Sequence, residues 1–301
     1  MTALAKIERA KRQPFFQYGG TSLYFGDCFE VMREWDDNSV HAVVSDPPYG
    51  LVEYSEKEKH KLREGKGGVW RLPPSFDGCT RSPLPRFTTL SATDLKSLAG
   101  FFEAWGREAL RALVPGGHIF LASNPLVSHI VATSLVASGF EARGTIIRLV
   151  MTMRGGDRPK NAHEEFPDVS VMPRSMWEPW VLVRKPLEGR VQDNLRRWGT
   201  GGLRRLGEHS PFGDVIKSSP THKKERELAP HPSLKPQAFL RQVVRASLPL
   251  GRGILIDPFA GSGSTLAAAE AVGYQSIGIE QDETYVRIAE TAIPALARRA
   301  T

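Results

Sequence analysis

The chain has 301 residues, 41% of them apolar, and a formal charge of +7, which fits one α/β domain with a sizeable insertion better than two large domains. A basic surplus attracts polyanions, nucleic acid among them. Two cysteines, Cys28 and Cys79, with no CxxC spacing and no clustered histidines, point away from a disulfide framework or a metal site and towards a reducing, cytoplasmic compartment; the charged N-terminus is unlike a secretory signal, and no stretch nears the roughly 18 apolar residues of a membrane span.

In chain order, residues 1–20 read as an irregular lead-in. Residues 21–25 alternate and predict a short strand. Residues 28–35 have helical spacing, with Asp27 as N-cap. The β-branched run 40–45 (VHAVVS) predicts a strand that ends on Asp46-Pro47-Pro48-Tyr49, because proline fixes φ and removes the ladder donor. Residues 50–90, rich in Lys, Glu, Gly and Pro, read as a long loop carrying Lys57, Lys59, Lys61, Arg63 and Lys66. A helix over 93–113, a turn at Pro115-Gly116-Gly117 and a buried strand over 118–122 follow. Then come a helix over 127–137 and a strand region over 141–153.

Residues 154–230 carry many Arg, Gly and Pro residues and little periodicity. They read as an insertion, with 181–183 a strand within or beside it. Beyond it lie a helix over 236–248, a strand over 253–256, a Gly-rich turn over 257–263, a helix over 265–272, a strand over 275–280 and a final helix over 283–298. Strands alternating with helices at both ends predict a doubly wound, mostly parallel sheet with helices on both faces.

Two motifs stand out. Asp257-Pro258-Phe259-Ala260-Gly261-Ser262-Gly263-Ser264-Thr265 follows the strand GILI and opens a helix. Glycines there let the backbone turn sharply and approach a ligand, and Ser264 or Thr265 is expected to cap the helix. No lysine completes a P-loop, and Leu266 stands where a dinucleotide fingerprint has its third glycine. The next strand ends in Glu280, where a doubly wound fold holds ribose hydroxyls.

The second motif is Asp46-Pro47-Pro48-Tyr49. By itself it is a strand-terminating turn. At the carboxyl edge of a parallel sheet it is also a ligand position. An exocyclic amine on a base is a poor nucleophile because its lone pair is delocalised. Hydrogen bonds from its two N–H groups to Asp46 and the Pro47 carbonyl would localise that pair, and Tyr49 could stack on the ring.

The segments SDPPYG and DPFAGSGST together resemble the DNA amino-methyltransferases that modify adenine N6 or cytosine N4. With the tetrapeptide ahead of the Gly-rich loop and a basic segment between, the order resembles the circularly permuted β group. The resemblance covers residues 21–295. It implies a Rossmann-like class I methyltransferase fold, with catalytic halves at 21–153 and 231–301 and a basic target-recognition insertion at 154–230. It implies S-adenosylmethionine as cofactor, with no metal, and double-stranded DNA as partner. A cognate restriction enzyme and a monomeric or homodimeric, nucleoid-associated state belong to the same picture.

Carried over residue by residue, Asp27 stands near the cofactor adenine and Glu280 at the ribose, with Asp282 a competitor for that role. Phe259 lines the methyl pocket, beside Asp257, Ala260, Gly261, Gly263, Ser264 and Thr265. His231, Ser233 and Lys235, in His231-Pro232-Ser233-Leu234-Lys235-Pro236, lie at the methionine end. A plain loop-to-helix start with proline at N1 explains that last segment equally well. Residues 184–206 hold seven cations (Arg184, Lys185, Arg190, Arg196, Arg197, Arg204 and Arg205) against Glu188 and Asp193, a net +5 that reads as a solvated surface or, given a DNA substrate, as phosphate contacts. Trp177 and Trp180 read as packing. Asp46 in first place favours adenine N6, with cytosine N4 the alternative. RNA or a protein amide as substrate, and a non-catalytic DNA-binding relic, are more distant readings.

Overall fold

The computed structural model describes residues 12–48, 91–150, 156, 158–231 and 234–300. Tyr49, Ser233, Cys79 and the expected loop over 50–90 lie outside the described residues.

The strands are β1 (Phe16–Tyr18), β2 (Thr21–Phe25), β3 (Val40–Ser45), β4 (Leu113–Ala122), β5 (Glu141–Leu149), β6 (Trp177–Arg184), β7 (Val215–Lys217), β8 (Ile254–Asp257) and β9 (Gln275–Glu280). Among the described residues they form one nine-stranded sheet in the order β1-β2-β9-β8-β3-β4-β6-β5-β7. The centre, β2-β9-β8-β3-β4, is parallel throughout. β6 runs antiparallel to both neighbours, and β1 closes its edge antiparallel to β2.

The helices are α1 (Cys28–Arg33), α2 (Ala92–Ala112), α3 (Ser128–Ala137), α4 (Val191–Trp198), α5 (Lys223–Leu228), α6 (Gln237–Ser247), α7 (Ser264–Ala271) and α8 (Glu283–Ala297). Their apolar stripes sort them to two faces. α1, α2 and α3 cover one face through Met32, Phe102, Trp105 and Leu135, packed on Val43, Leu121 and Ile256. α6 and α7 cover the other through Phe239, Val243 and Ala268, packed on Val44, Phe120, Trp180 and Leu255, and α8 extends that layer over Leu23. The central strands are buried on both sides, which is why they read as unbroken apolar runs. α2 starts on a capping box, Ser91 with Asp94, and presents Leu98, Phe102, Trp105, Ala109 and Ala112 at three- and four-residue spacing. Burying Phe102 or Trp105 contributes about 1.5–3 kcal/mol each relative to exposure.

Three sequence expectations change. The interval 154–230 is not apart from the core, because it supplies β6 and β7. Trp180, Val181 and Val183 are at most 1% exposed, and β6 fills the gap between β4 and β5. Pro115-Gly116-Gly117 is a bulge inside β4 rather than a turn before it. β4 advances from Leu113 to His118 while β3 advances only from Val40 to Ala42. Finally, β1 lies within the supposed lead-in.

The order in which strands are laid down reverses at the centre of the sheet, although the strands stay parallel. From β8 the path runs outward through β9, and from β3 it runs the other way to β4. β3 and β8 are adjacent and parallel, pairing Ala42 with Leu255 and Val43 with Ile256. Their carboxyl ends therefore open side by side on one edge, at a topological switch point.

Candidate active site

At that edge Ser45 Oγ donates to Asp257 Oδ1 at 2.5 Å. The same oxygen accepts from the Phe259 amide at 3.2 Å, and Thr265 also hydrogen-bonds the carboxylate. Asp257 is 2% exposed, and burial pushes its carboxyl up to about 6. Asp257 thus braces β3, the Gly-rich loop and α7 together.

The loop needs its glycines. Gly261 has φ +50° and Gly263 φ +81°, and a Cβ on Gly263 would stand 2.5 Å from Ile293 Cγ1 of α8. Ala260 donates its N–H to the Ile279 carbonyl at 2.9 Å, laying the loop on β9. Gly278 makes room there, since a Cβ on it would meet Leu266 Cδ1 at 2.4 Å. The expected Ser or Thr cap is replaced. Gly263, left-handed, is the N-cap of α7 and there is no side-chain cap bond; Thr265 faces inward instead, 2% exposed.

Glu280, at the tip of β9, accepts from Gly261 N–H at 2.7 Å and from Asp282 N–H at 2.8 Å, one carboxylate oxygen to each. Burial is the main cause of its raised carboxyl. Asp282 caps α8 by accepting from Thr284 and Tyr285 amides, which assigns it a structural task. Asp27 caps α1, accepting from Phe29 at 2.8 Å and Glu30 at 3.2 Å. Phe259 turns its ring towards α2, with ring centroids 6.1 Å from Phe101 and 5.9 Å from Trp105. That aromatic wall went unread in the sequence. Its only signal was aromatic residues at 101, 102 and 105.

Asp46 leaves β3 towards the α6 face. Its Oδ2 is ion-paired to Lys235 Nζ, which arrives from just before α6. Lys235 also lies 3.8 Å from Glu178 Oε2 of β6, and Glu178 in turn pairs with Arg148 of β5 at 3.3 Å. Lys235, expected at the cofactor's methionine end, is therefore placed on the carboxylate of the tetrapeptide. Glu178 and Arg148 had not been singled out. Pro47 is buried and Pro48 exposed. His231 stands over the Gly-rich loop, its Nε2 3.1 Å from where a Gly261 Cβ would be, and packs edge-on against Tyr285 with centroids 4.4 Å apart. Burial lowers its pKa, the Asp46 charge opposes that, and Lys235 adds to it.

The basic run 184–206 does not join this edge. Arg184 is 7% exposed, pairs with Glu141 at 2.6 Å and donates to the Gly201 carbonyl. It lies six residues along β6 from Glu178, about 20 Å at strand rise. Lys185 donates to Asn38 and to the Leu113 carbonyl, and Arg204 to the Tyr274 hydroxyl. α4 is fastened beside the start of β4 by Asn194 Nδ2 donating to the Pro115 carbonyl. Its exposed Arg190 and Arg196 pair with Asp193, and Arg197 with Glu188. Arg205 is exposed and donates to the Glu208 carbonyl. These side chains are engaged at the amino-end edge of the sheet, away from Asp46. Burial claims Arg184, and position excludes the others from the carboxyl edge.

Comparison with known proteins agrees with this architecture. Type II methyltransferase M2.DpnII of Streptococcus pneumoniae is 23% identical over 285 residues, covering 94% of this chain and 93% of its own. Type II methyltransferase M.HindIII of Haemophilus influenzae is 23% identical over 297 residues, covering 89% and 93%. PvuII DNA methyltransferase (cytosine-N4-specific) superposes with a TM-score of 0.62 at 14% identity over 97% of this chain and 96% of that one. TTHA0409 of Thermus thermophilus, complexed with S-adenosyl-L-methionine, does so with a TM-score of 0.59 at 20% identity over 92% and 95%. The solved structures share the class I methyltransferase fold that the resemblance implies, built on the doubly wound sheet that the alternating strands and helices predict. The family model for N6/N4 DNA methylases matches residues 40–291, from the first residue of β3 into α8, and the chain belongs to that family.

Proposed function

We propose that this DNA methylase transfers a methyl group from S-adenosylmethionine to the exocyclic N6 amine of an adenine turned out of the DNA helix, with cytosine N4 the alternative. The observation that carries the reading is the junction at the switch point. Ser45 bonds Asp257, so the acid of the tetrapeptide and the Gly-rich loop are fixed side by side.

The residues suit the cofactor. The positive φ of Gly261 and the bare Cα of Gly278 leave a backbone cradle at a helix start, bordered by Glu280, Phe259 and His231. In this reading Glu280 takes the ribose, Phe259, Ala260, Gly261 and Gly263 the loop contacts, and Asp27 and His231 the flanks. When bound, S-adenosylmethionine supplies a sulfonium-activated methyl group. Asp46 and the Pro47 carbonyl accept the two amine N–H bonds, so the nitrogen lone pair is directed outward. Tyr49 is assigned the stacking role from its residue type. Rotating the base out is required because the amine is unreachable in the duplex, and catalysis then rests on positioning and electrostatics. DNA approaches the carboxyl edge, where Lys217, at the end of β7, and the exposed Lys223 lie, rather than α4.

Asp46→Ala is expected to keep DNA and cofactor binding and to lose methyl transfer. Wild-type turnover in that variant would sink the assignment. Digesting methylated genomic DNA to nucleosides separates the two targets, since N4-methylcytosine without N6-methyladenine overturns the adenine reading.

A further inference from the structure

The ion pair on Asp46 raises a chemical difficulty. As the amine attacks, positive charge grows on its nitrogen, and a carboxylate beside it stabilises that charge. Lys235 sits on the same carboxylate with a side chain only 8% exposed. In so dry a place a lone ammonium would largely cancel the charge Asp46 offers. It is not alone, however. Glu178 lies on its other side, and Arg148 pairs with Glu178 in turn. Arg148, Glu178, Lys235 and Asp46 alternate in sign across β5, β6, the approach to α6 and the end of β3, all with side chains at most 17% exposed.

We propose that Glu178 is a positioning residue for methyl transfer, holding and offsetting Lys235 so that Lys235 orients Asp46 through Oδ2 without neutralising it. This rests on Asp46 being the amine acceptor. Glu178 is itself held in place. Trp180 Nε1 donates to its Oε1 at 2.8 Å. Arg148 is fixed by Ser218 Oγ and the Ser219 carbonyl, both at 3.0 Å, and lies over the Phe239 ring at 5.4 Å. Thr221 Oγ1 donates to the Leu234 carbonyl at 2.5 Å, pinning the backbone that presents Lys235. The Lys235–Glu178 link is the longest of the set at 3.8 Å, and none of the charged side chains is exposed enough for water to screen it well. The segment after β7 is thereby tied to the reacting group through side chains and the Ser219 and Leu234 carbonyls.

The test is steady-state kinetics of the full chain on a methylatable duplex, at saturating cofactor and DNA. Glu178→Gln keeps the size and the Trp180 contact and removes the charge. It is expected to lower kcat about 10–100-fold, the scale of a misplaced reacting group, with both KM values within about two-fold and the melting temperature little changed. Glu178→Asp should recover much of the loss. Lys235→Gln provides an independent arm: kcat falls while the dissociation constant for S-adenosylmethionine stays within about two-fold. A Glu178→Gln kcat within two-fold of wild type overturns the proposal, and so does a Lys235→Gln variant whose dissociation constant for S-adenosylmethionine rises ten-fold or more while kcat at saturating cofactor stays within two-fold of wild type. If either occurs while Asp46→Ala is inactive, the proposal fails and the methylation reading survives. If Asp46→Ala turns over normally, the methylation reading fails first.

Discussion

Replacing Arg190, Arg196 and Arg197 together by alanine separates two accounts of the basic run. Their side chains are 77%, 74% and 63% exposed and project from α4, so removing them should not disturb the core. Three phosphate contacts would carry a salt slope of about 0.9 each, or about 2.7 in log K against log salt. Their loss would weaken binding on the order of several hundred-fold near 0.1 M salt. The structure predicts otherwise. α4 is fastened at the amino-end edge through Pro115, the same edge as Arg184, which lies about 20 Å along β6 from Glu178, and charges more than two Debye lengths away (about 8 Å each at 0.15 M) are screened. The triple variant should bind an unmethylated duplex within about three-fold of wild type, with a salt slope changed by less than one. Fluorescence anisotropy titrations from 50 to 300 mM salt measure both. A slope smaller by two or more would put α4 on the DNA and refute the placement of the docking face.

Gly278→Ala should force the cofactor loop off β9, because the new methyl meets Leu266 at 2.4 Å and Ala260 at 3.1 Å. A stability loss of about 1–3 kcal/mol with weaker S-adenosylmethionine binding by calorimetry is expected, and unchanged binding would refute the loop's dependence on that gap. Burial lowers His41 to about 4 and His118 to about 3, so both add stability that is complete above about 6.5 and lost as pH falls through the window below. Asp257, raised to about 6, acts in the opposite sense, so the net loss between pH 6.5 and 5 is about 2 kcal/mol. A denaturant midpoint independent of pH in that window would contradict it. Cys28 is 7% exposed and its thiol is pushed up to about 12, chiefly by burial and then by Asp27. In a Cys79→Ser background it should therefore resist thiol reagents until the chain unfolds, and rapid native labelling would count against the burial of α1.

The catalytic edge was legible because its elements announce themselves locally. VHAVVS runs into Asp46 and two prolines, GILI runs into a Gly-rich turn, and Asp27 precedes a helical run that it caps. What escaped was set by distant partners. β6 was read only over 181–183 and not as part of the central sheet, because Pro179 and the flanking Arg, Gly and Pro residues blur its pattern, although its WVLV core is buried. Arg184 looked like its exposed neighbours because charge in sequence does not reveal burial, and only pairing with Glu141, 43 residues away, lets it sit inside. The Lys235–Asp46 pair spans 189 residues, and no spacing rule connects them. The Ser45–Asp257 bond spans 212 residues, and no local feature showed it.

That bond also has a consequence in time. Ser45 and Asp257 are 212 residues apart. At a synthesis rate of about 5–20 residues per second, β3 leaves the ribosome on the order of 10–40 s before the neighbour it must pair with has been made. During that interval an apolar strand waits with one edge open, a ready template for wrong partners. The order of the motifs along the chain thus sets a period of risk for each newly made molecule, which slower translation would lengthen and a chaperone holding the nascent strand would cover.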